Sequence, residues 1–345
     1  MEGTQLQINP PAASGEAAAP RAPLPSGAMP PATSTAPVVT AGPGAGPPAG
    51  ASRSFSASRW LSAAVREARP RQWLKNLLVF AAPLAGATMG RPGGLAYAVV
   101  AFLAFGCASA SVYYINDVMD VERDRQHPVK CSRPIASGDL PVRDAIVIAV
   151  TLACAAIASG FMIGTPLLSA VTGGYLVSST FYSTRGKHLP YLEMLLVASG
   201  FVLRVLAGAV ATHVPPSPWF LSVCSLGALG VTAAKRYTEL TSLGTEAVKH
   251  RPVTRFYKPA PLRSIQVALA AGMIAMYVAW AAVGASGGRY WHIASALPLT
   301  LALIRFGMLT RRPTVRPVED ILTRDGLMLA CEVAWLSLFI ARLYL

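Results

Sequence analysis

Asn116, Asp117, Asp120, Glu122 and Asp124 crowd into NDVMDVERD (116–124), in a chain with only 16 Asp and Glu against 30 Lys and Arg. If the helix carrying the preceding apolar run continues through this stretch, Asn116, Asp120 and Asp124 recur at i, i+4 and i+8. At about 100° per residue they fall within about 80° of one another, and Asp117 lies about 100° from Asn116. One face then presents an amide and three carboxylates. Like charges that close repel unless a cation sits between them. An all-oxygen donor set suits Mg2+, which keeps several waters and bridges one or two carboxylates to substrate phosphates. The plainer alternative is a solvated, charged helix end that stops an apolar segment. Lys130 and Arg133, which follow in HPVKCSRP (127–134), weigh toward the metal because they are placed to hold phosphate oxygens beside it.

The elements that must position these residues are membrane spans. The composition is 53% hydrophobic and only 13% charged, about half the usual charged share. Apolar runs near 20 residues recur from residue 74 to the end, each long enough for a hydrocarbon core of roughly 30 Å. The pattern predicts an all-α polytopic bundle of nine spans: 72–90, 95–115, 143–164, 166–184, 190–212, 217–235, 264–285, 290–309 and 325–344. Lys and Arg alternate strongly by loop. They are dense before the first span, after the second, after the sixth (Lys235 to Arg263) and after the eighth; the opposite loops hold little beyond Arg91 and Arg289. That bias predicts a cytoplasmic N-terminus and a cytoplasmic acidic cluster, in an inner (plasma) membrane. The net charge of +14 is therefore a topology and anion-binding charge, and a nucleic-acid partner is not expected. Five scattered cysteines (107, 131, 154, 224, 331) show no metal-ligand spacing and no disulfide framework. Residues 1–50 are mostly Pro, Ala, Gly and Ser, too poor in apolar side chains to fold. A disordered cytoplasmic tail is expected over 1–58 and the folded domain over 59–345. The tail lacks the basic start and apolar core of a signal peptide.

NDVMDVERD resembles the NDxxDxxxD signature of the UbiA superfamily of intramembrane prenyltransferases. RPRQWLKNLLVFAAPLAG (69–86), GKHLPYLEMLLVASGFVLRVLAGAVAT (186–212), KRYTEL (235–240) and EDILTRDGLMLACEVAW (319–335) extend the resemblance. Within the superfamily they are most similar to the actinobacterial polyprenyl-phosphate (decaprenyl-phosphate) phosphoribosyltransferases. The resemblance implies a nine-helix UbiA-type bundle and Mg2+-dependent transfer of a 5-phosphoribosyl group from phosphoribosyl pyrophosphate (PRPP) to decaprenyl phosphate. The products would be pyrophosphate and a lipid precursor of cell-wall arabinan, in arabinogalactan and lipoarabinomannan. It also implies that Asn116, Asp120 and Asp124 hold Mg2+, with Asp117, Asp120 and Asp124 as the catalytic carboxylates. Oligomeric state is left open, a homo-oligomer included.

Where prenyltransferases of the superfamily usually carry a second DxxxD motif, this chain has Lys235, Arg236 and Glu239 in KRYTEL. Bases in place of acids fit a donor with an additional phosphate, such as PRPP. The plainer reading is a Lys235–Glu239 helix pair plus topology charge. Arg204 sits inside an apolar span, where a charge usually faces a bundle interior or cavity; it is read as lying near substrate phosphate or paired to another helix. Lys75, Asn76, Tyr182 and Lys187 sit at predicted cytoplasmic ends and are candidate anion ligands, or simply interfacial polar residues. His127 is read as a loop histidine, and Glu319 and Asp320 as caps of the last span. Two alternatives remain: a UbiA-type prenyltransferase moving a polyprenyl chain from its diphosphate onto an aromatic acceptor, and a transporter or lipid-binding protein. Against the transporter, the charged cluster lies at one membrane face and not at mid-membrane.

The charge bias makes a direct prediction. In a cysteine-free background, Ser137→Cys should react with a membrane-impermeant maleimide only from the cytoplasmic side; labelling in intact cells would reverse the predicted topology.

Overall fold

Every described element is helical. The structure, a computed structural model, describes residues 56–244, 247–248, 251–283, 289–312 and 318–344. The tail through residue 55 lies outside the described residues, as do the side chains of Glu319 and Asp320. In chain order the elements are α1 (Ala57–Glu67), a 3-10 stretch (Pro70–Phe80), α2 (Ala81–Ala85), α3 (Gly94–Met119) and α4 (Val121–Arg125). There follow α5 (Val142–Met162), α6 (Pro166–Thr184), α7 (Leu192–Ala211), α8 (Pro218–Leu243) and α9 (Pro259–Val283). The last are α10 (Arg289–Leu309), α11 (Val318–Arg324) and α12 (Gly326–Tyr344).

Five of these helices, α3, α5, α7, α9 and α10, are long and apolar enough to cross a bilayer. Their outer faces carry apolar side chains in the open: Val147, Val150 and Ile157 on α5, Leu297, Leu301 and Ile304 on α10. A soluble protein would bury such faces; a bilayer solvates them. The predicted spans at 166–184, 217–235 and 325–344 fall on α6, α8 and α12. The predicted first span, 72–90, is not one helix. It divides into the 3-10 stretch opened by Pro70 and the five-residue α2, which contains Pro83 and ends at Gly86.

Small residues explain that division. A Cβ on Gly208 of α7 would lie 1.7 Å from the Val79 carbonyl oxygen, and one on Gly106 of α3 would meet the Trp73 ring at 3.2 Å. The 3-10 stretch is thus wedged between α3 and α7, with its backbone against α7. Val79, Ala101, Phe105, Ala108, Leu168, Tyr175 and Ala207 close the core around it. A second core joins α8, α10, α11 and α12 through Ala234, Ala302, Phe306, Ile321, Met328 and Cys331. α7 is the common neighbour: it packs on the 3-10 stretch, α2, α3, α6 and α8.

Gly208→Ala should therefore displace the 3-10 stretch and cost about 1–3 kcal/mol or more, as overpacking does. Gly200→Ala, whose new Cβ would meet nothing closer than 3.5 Å, should be tolerated. Thermal unfolding in detergent checks both; equal melting temperatures would contradict the wedge.

Candidate active site

The acidic stretch keeps its register through a helix break. α3 ends at Met119, and Asp120 adopts a non-helical φ of −96° and ψ of 4° before α4 begins. Even so, Asp120 N donates to Asn116 O (3.0 Å) and Asp124 N to Asp120 O (2.8 Å), so the i, i+4, i+8 ladder survives in the backbone. The side chains then diverge. Asp117 and Asp124 are buried, whereas Asp120 is partly open and accepts from Arg123 at 3.1 Å. Asn116 Oδ1 is buried and accepts no hydrogen bond among the described residues.

Arg133 joins the two buried carboxylates. Its Nη1 donates to Asp117 Oδ1 at 3.1 Å and to Asp124 Oδ2 at 2.7 Å. Lys130 Nζ stands 3.8 Å from Asp124 Oδ1. On the other side, Arg69 donates to Asp117 Oδ2 and its guanidinium lies 5.0 Å from the centre of the Tyr113 ring. Arg69 adopts the left-handed conformation, φ 49°. Glu67, at the end of α1, is buried beside them. Burial, reinforced by the hydrogen bonding and charge of Asp117, pushes its carboxyl up to about 8 against the opposing pull of Arg69 and Arg133. Glu67 is therefore mostly protonated near neutrality and adds little negative charge.

A second polar cluster forms where α7 meets α8. Glu193 is fully buried and receives Arg236 in a two-pronged pair, Nε to Oε1 at 2.5 Å and Nη2 to Oε2 at 2.7 Å. The third guanidinium nitrogen, Nη1, donates to Glu239 at 2.6 Å. Arg251 donates to Glu193 Oε2 (3.3 Å) and to the Tyr182 hydroxyl (3.0 Å), and Tyr257 donates to Glu193 Oε1 (3.1 Å). Arg236, read from sequence as a phosphate ligand, is thus taken up by two protein carboxylates. Lys235, its neighbour, lies on the exposed side of α8.

Arg204 forms a third centre, deep in the bundle. Nε donates to Asn76 Oδ1 (2.8 Å), Nη1 to the Gly200 carbonyl (2.6 Å), and Nη2 to Ser109 (3.1 Å) and Tyr175 (3.2 Å). Its guanidinium also lies 4.8 Å from the Tyr175 ring centre. All these partners are neutral. Asn76 is fully buried, and its Nδ2 donates to nothing among the described residues. The 3-10 stretch brings Asn76 here, one turn before the Val79–Gly208 contact, and also carries Lys75. Lys187 sits in a short 3-10 turn, Gly186–His188, between α6 and α7.

The structure thus brings together Asp117, Asp124, Lys130 and Arg133; Arg236, Glu239 and Tyr182; and Asn76 with Arg204. Asp120, partly open, pairs with Arg123. Sequence reasoning missed Arg69 and Glu67 beside the acids, and Arg251 and Tyr257 around Glu193. The only signal for Arg69 was its place in the basic run before the first span, which topology already explained.

This is an all-helical, membrane-embedded transferase architecture with charged groups gathered at helix ends. The chain belongs to the UbiA prenyltransferase family, whose family model matches residues 77–319. It is 36% identical over 281 residues to the decaprenyl-phosphate phosphoribosyltransferase of Mycobacterium tuberculosis, covering 79% of this chain and 91% of that one. To the enzyme of the same name from Corynebacterium glutamicum it is 31% identical over 287 residues, covering 81% and 86%. In fold it is similar to a UbiA homolog from Archaeoglobus fulgidus bound to GPP and Mg2+. The TM-score there is 0.61, with 18% identity, over 82% of this chain and 98% of that one.

The Glu193 cluster generates a prediction. Arg236→Ala leaves a buried carboxylate short of its main partner, which costs about 3–5 kcal/mol, so the variant should melt well below wild type in detergent with or without ligand. Lys235→Ala should not. A wild-type melting temperature for Arg236→Ala, with only its donor KM raised, would return Arg236 to the substrate.

Proposed function

We propose that the chain transfers a 5-phosphoribosyl group from PRPP to a polyprenyl phosphate, of the decaprenyl type its relatives are named for, and releases pyrophosphate. The observation that carries this reading is the 36% identity to a decaprenyl-phosphate phosphoribosyltransferase along 91% of that relative. The lipid product would feed arabinan synthesis. The catalytic domain is proposed as residues 59–345, crossing the plasma membrane nine times, with residues 1–58 as a cytoplasmic tail and the acidic cluster on the cytoplasmic side, where PRPP is made.

The donor set suits Mg2+. It is all oxygen, Asn116 Oδ1 is buried without a partner among the described residues, and Asp117 and Asp124 stand close enough to share one guanidinium nitrogen. Among the described residues no three His, Cys, Asp or Glu side chains converge as a ready-made metal site; waters and the pyrophosphate would complete the shell, as is usual for Mg2+. Asn116, Asp120 and Asp124 would hold the ion, with Asp117 assisting. When bound, the ion neutralises charge on the departing pyrophosphate.

The remaining work falls to the chain's own side chains. An oxygen of the lipid phosphate forms the new bond to the ribose anomeric carbon. The bond from that carbon to pyrophosphate breaks, and its electron pair leaves with pyrophosphate. The attacking oxygen is already an anion, so no general base is required, and catalysis reduces to positioning and charge stabilisation. Lys130 and Arg133 meet the pyrophosphate. Lys75, Asn76, Lys187 and Arg204 hold the donor. Tyr182, Arg236 and Glu239 build the wall beside Lys235.

Purified protein given Mg2+, labelled PRPP and a polyprenyl phosphate should produce a labelled lipid. Failure there, with prenyl transfer from a polyprenyl diphosphate to an aromatic acceptor instead, would favour the prenyltransferase reading. Asp120→Asn and Asp124→Asn should each lower turnover several hundred-fold, about 3–4 kcal/mol of transition-state stabilisation, while the protein stays folded. Near-normal turnover of both at saturating Mg2+ would remove the metal site.

A further inference from the structure

A cavity of about 520 Å3 lies between α8, α9, α10 and α12, and no residue of the acidic cluster lines it. Its walls are apolar, with Val231, Ile274, Leu303 and Met328 among them, and Gly227 and Gly230 keep the α8 side shallow. Among the described residues its polar side chains are Arg263, Gln266 and Arg311, with no carboxylate in its lining. Arg263 Nη1 donates to Gln266 Oε1 (3.0 Å) and to the Gly307 carbonyl (3.2 Å). Its Nε is buried and donates to nothing among the described residues.

The cations gather at one end. Arg263 lies in the first turns of α9 and Arg311 just past the end of α10. These two helices pack together, and successive spans run in opposite senses, so both charges meet the same membrane face. On α8, Gly227 and Val231 line the cavity, and Lys235 follows at the same i, i+4 spacing toward that same end. An apolar slot closed at its interfacial end by guanidinium groups, one of which keeps a donor that nothing accepts among the described residues, complements an amphiphile with a phosphate head.

We propose that this cavity holds the acceptor lipid, with the chain of the polyprenyl phosphate between α8, α9 and α10 and its phosphate at Arg263 and Arg311. The assignment rests on the phosphoribosyltransferase reading and divides the KRYTEL segment. Arg236 faces inward to Glu193 as a structural residue, while Lys235 lies on the acceptor face. A phosphate monoester carries up to two negative charges, which answers two guanidinium groups better than the single charge of a phosphodiester lipid.

The test pairs binding with kinetics. In detergent, a polyprenyl phosphate should raise the melting temperature of wild type, whereas phosphatidylglycerol and inorganic phosphate at equal concentration should not. Arg263→Gln and Arg311→Gln should lose that stabilisation. They should raise the apparent KM for the lipid roughly ten- to hundred-fold and leave the KM for PRPP within about twofold. Should Arg263→Gln fail to fold, Val231→Trp, which fills the slot without touching the arginines, should lose the same stabilisation. Equal stabilisation by phosphatidylglycerol would make this a general phospholipid site, and by inorganic phosphate a free-anion site; either overturns the proposal, as does a selective rise in the KM for PRPP. If wild type makes no labelled lipid yet still binds polyprenyl phosphate through Arg263 and Arg311, the transfer reading fails and the cavity assignment stands.

Discussion

A charge drawn into this bundle has little water to screen it, so each must be met by protein atoms, and that requirement organises the structure. The cost of burying an unpaired ion is several kcal/mol even after relaxation. Glu193 shows how the chain answers it: two guanidinium groups and a tyrosine hydroxyl surround one carboxylate. Asp117 and Asp124 are answered by Arg133, with Arg69 and Lys130 at the edges. Glu67, which lacks a close cation of its own (Arg69 Nη2 is 4.0 Å away), is held instead in its neutral form. Burial is thus tolerated by pairing in two cases and by protonation in the third.

α7 ties these centres together. Its first turn carries Glu193, its middle Arg204 and its last turns Gly208. Arg204 and Gly208 are four residues apart and share a face. That face takes Asn76 and Val79 of the 3-10 stretch, so the close backbone approach at Gly208 and the hydrogen bond at Arg204 depend on each other. The 3-10 stretch in turn follows directly from Arg69, the partner of Asp117. A disturbance at Gly208 is therefore expected to reach the acidic cluster through a single short segment.

The sequence showed the parts of this arrangement that depend on local periodicity. The ladder from Asn116 to Asp124 was legible because i, i+4 spacing is a property of the backbone, and it persists through the irregular Asp120. The apolar runs of α3, α5, α7, α9 and α10 were legible for the same reason. Partner choice was not. Arg69 reaches Asp117 across 48 positions and Arg251 reaches Glu193 across 58, and nothing in residue type distinguishes these arginines from those that set topology. The break in 72–90 was hidden because its cause, a glycine on α7, lies far along the chain. The pairing of Arg236 was hidden for a related reason: its main partner, Glu193, lies 43 positions away.

The charge balance around the acidic cluster also constrains how the proposed reaction begins. With Glu67 protonated, Asp117 and Asp124 face Arg69, Arg133 and Lys130, so the inner cluster is already compensated without a metal. Adding a divalent cation alone would leave a large positive excess and would compete with Arg133 Nη1 for the same two carboxylates. Adding a diphosphate alone would set its charge against those carboxylates. The two together would cancel: the anion would draw Arg133 and Lys130 toward its own oxygens, leaving Asp117 and Asp124 to the cation. On the proposed function, metal and PRPP would therefore enter as a complex or in strongly coupled steps, with Arg133 exchanging its carboxylate partners for the anion. Arg204, met among the described residues only by neutral groups, has no such exchange to make. Its described partners are Asn76, the Gly200 carbonyl, Ser109 and Tyr175, none of them an acid.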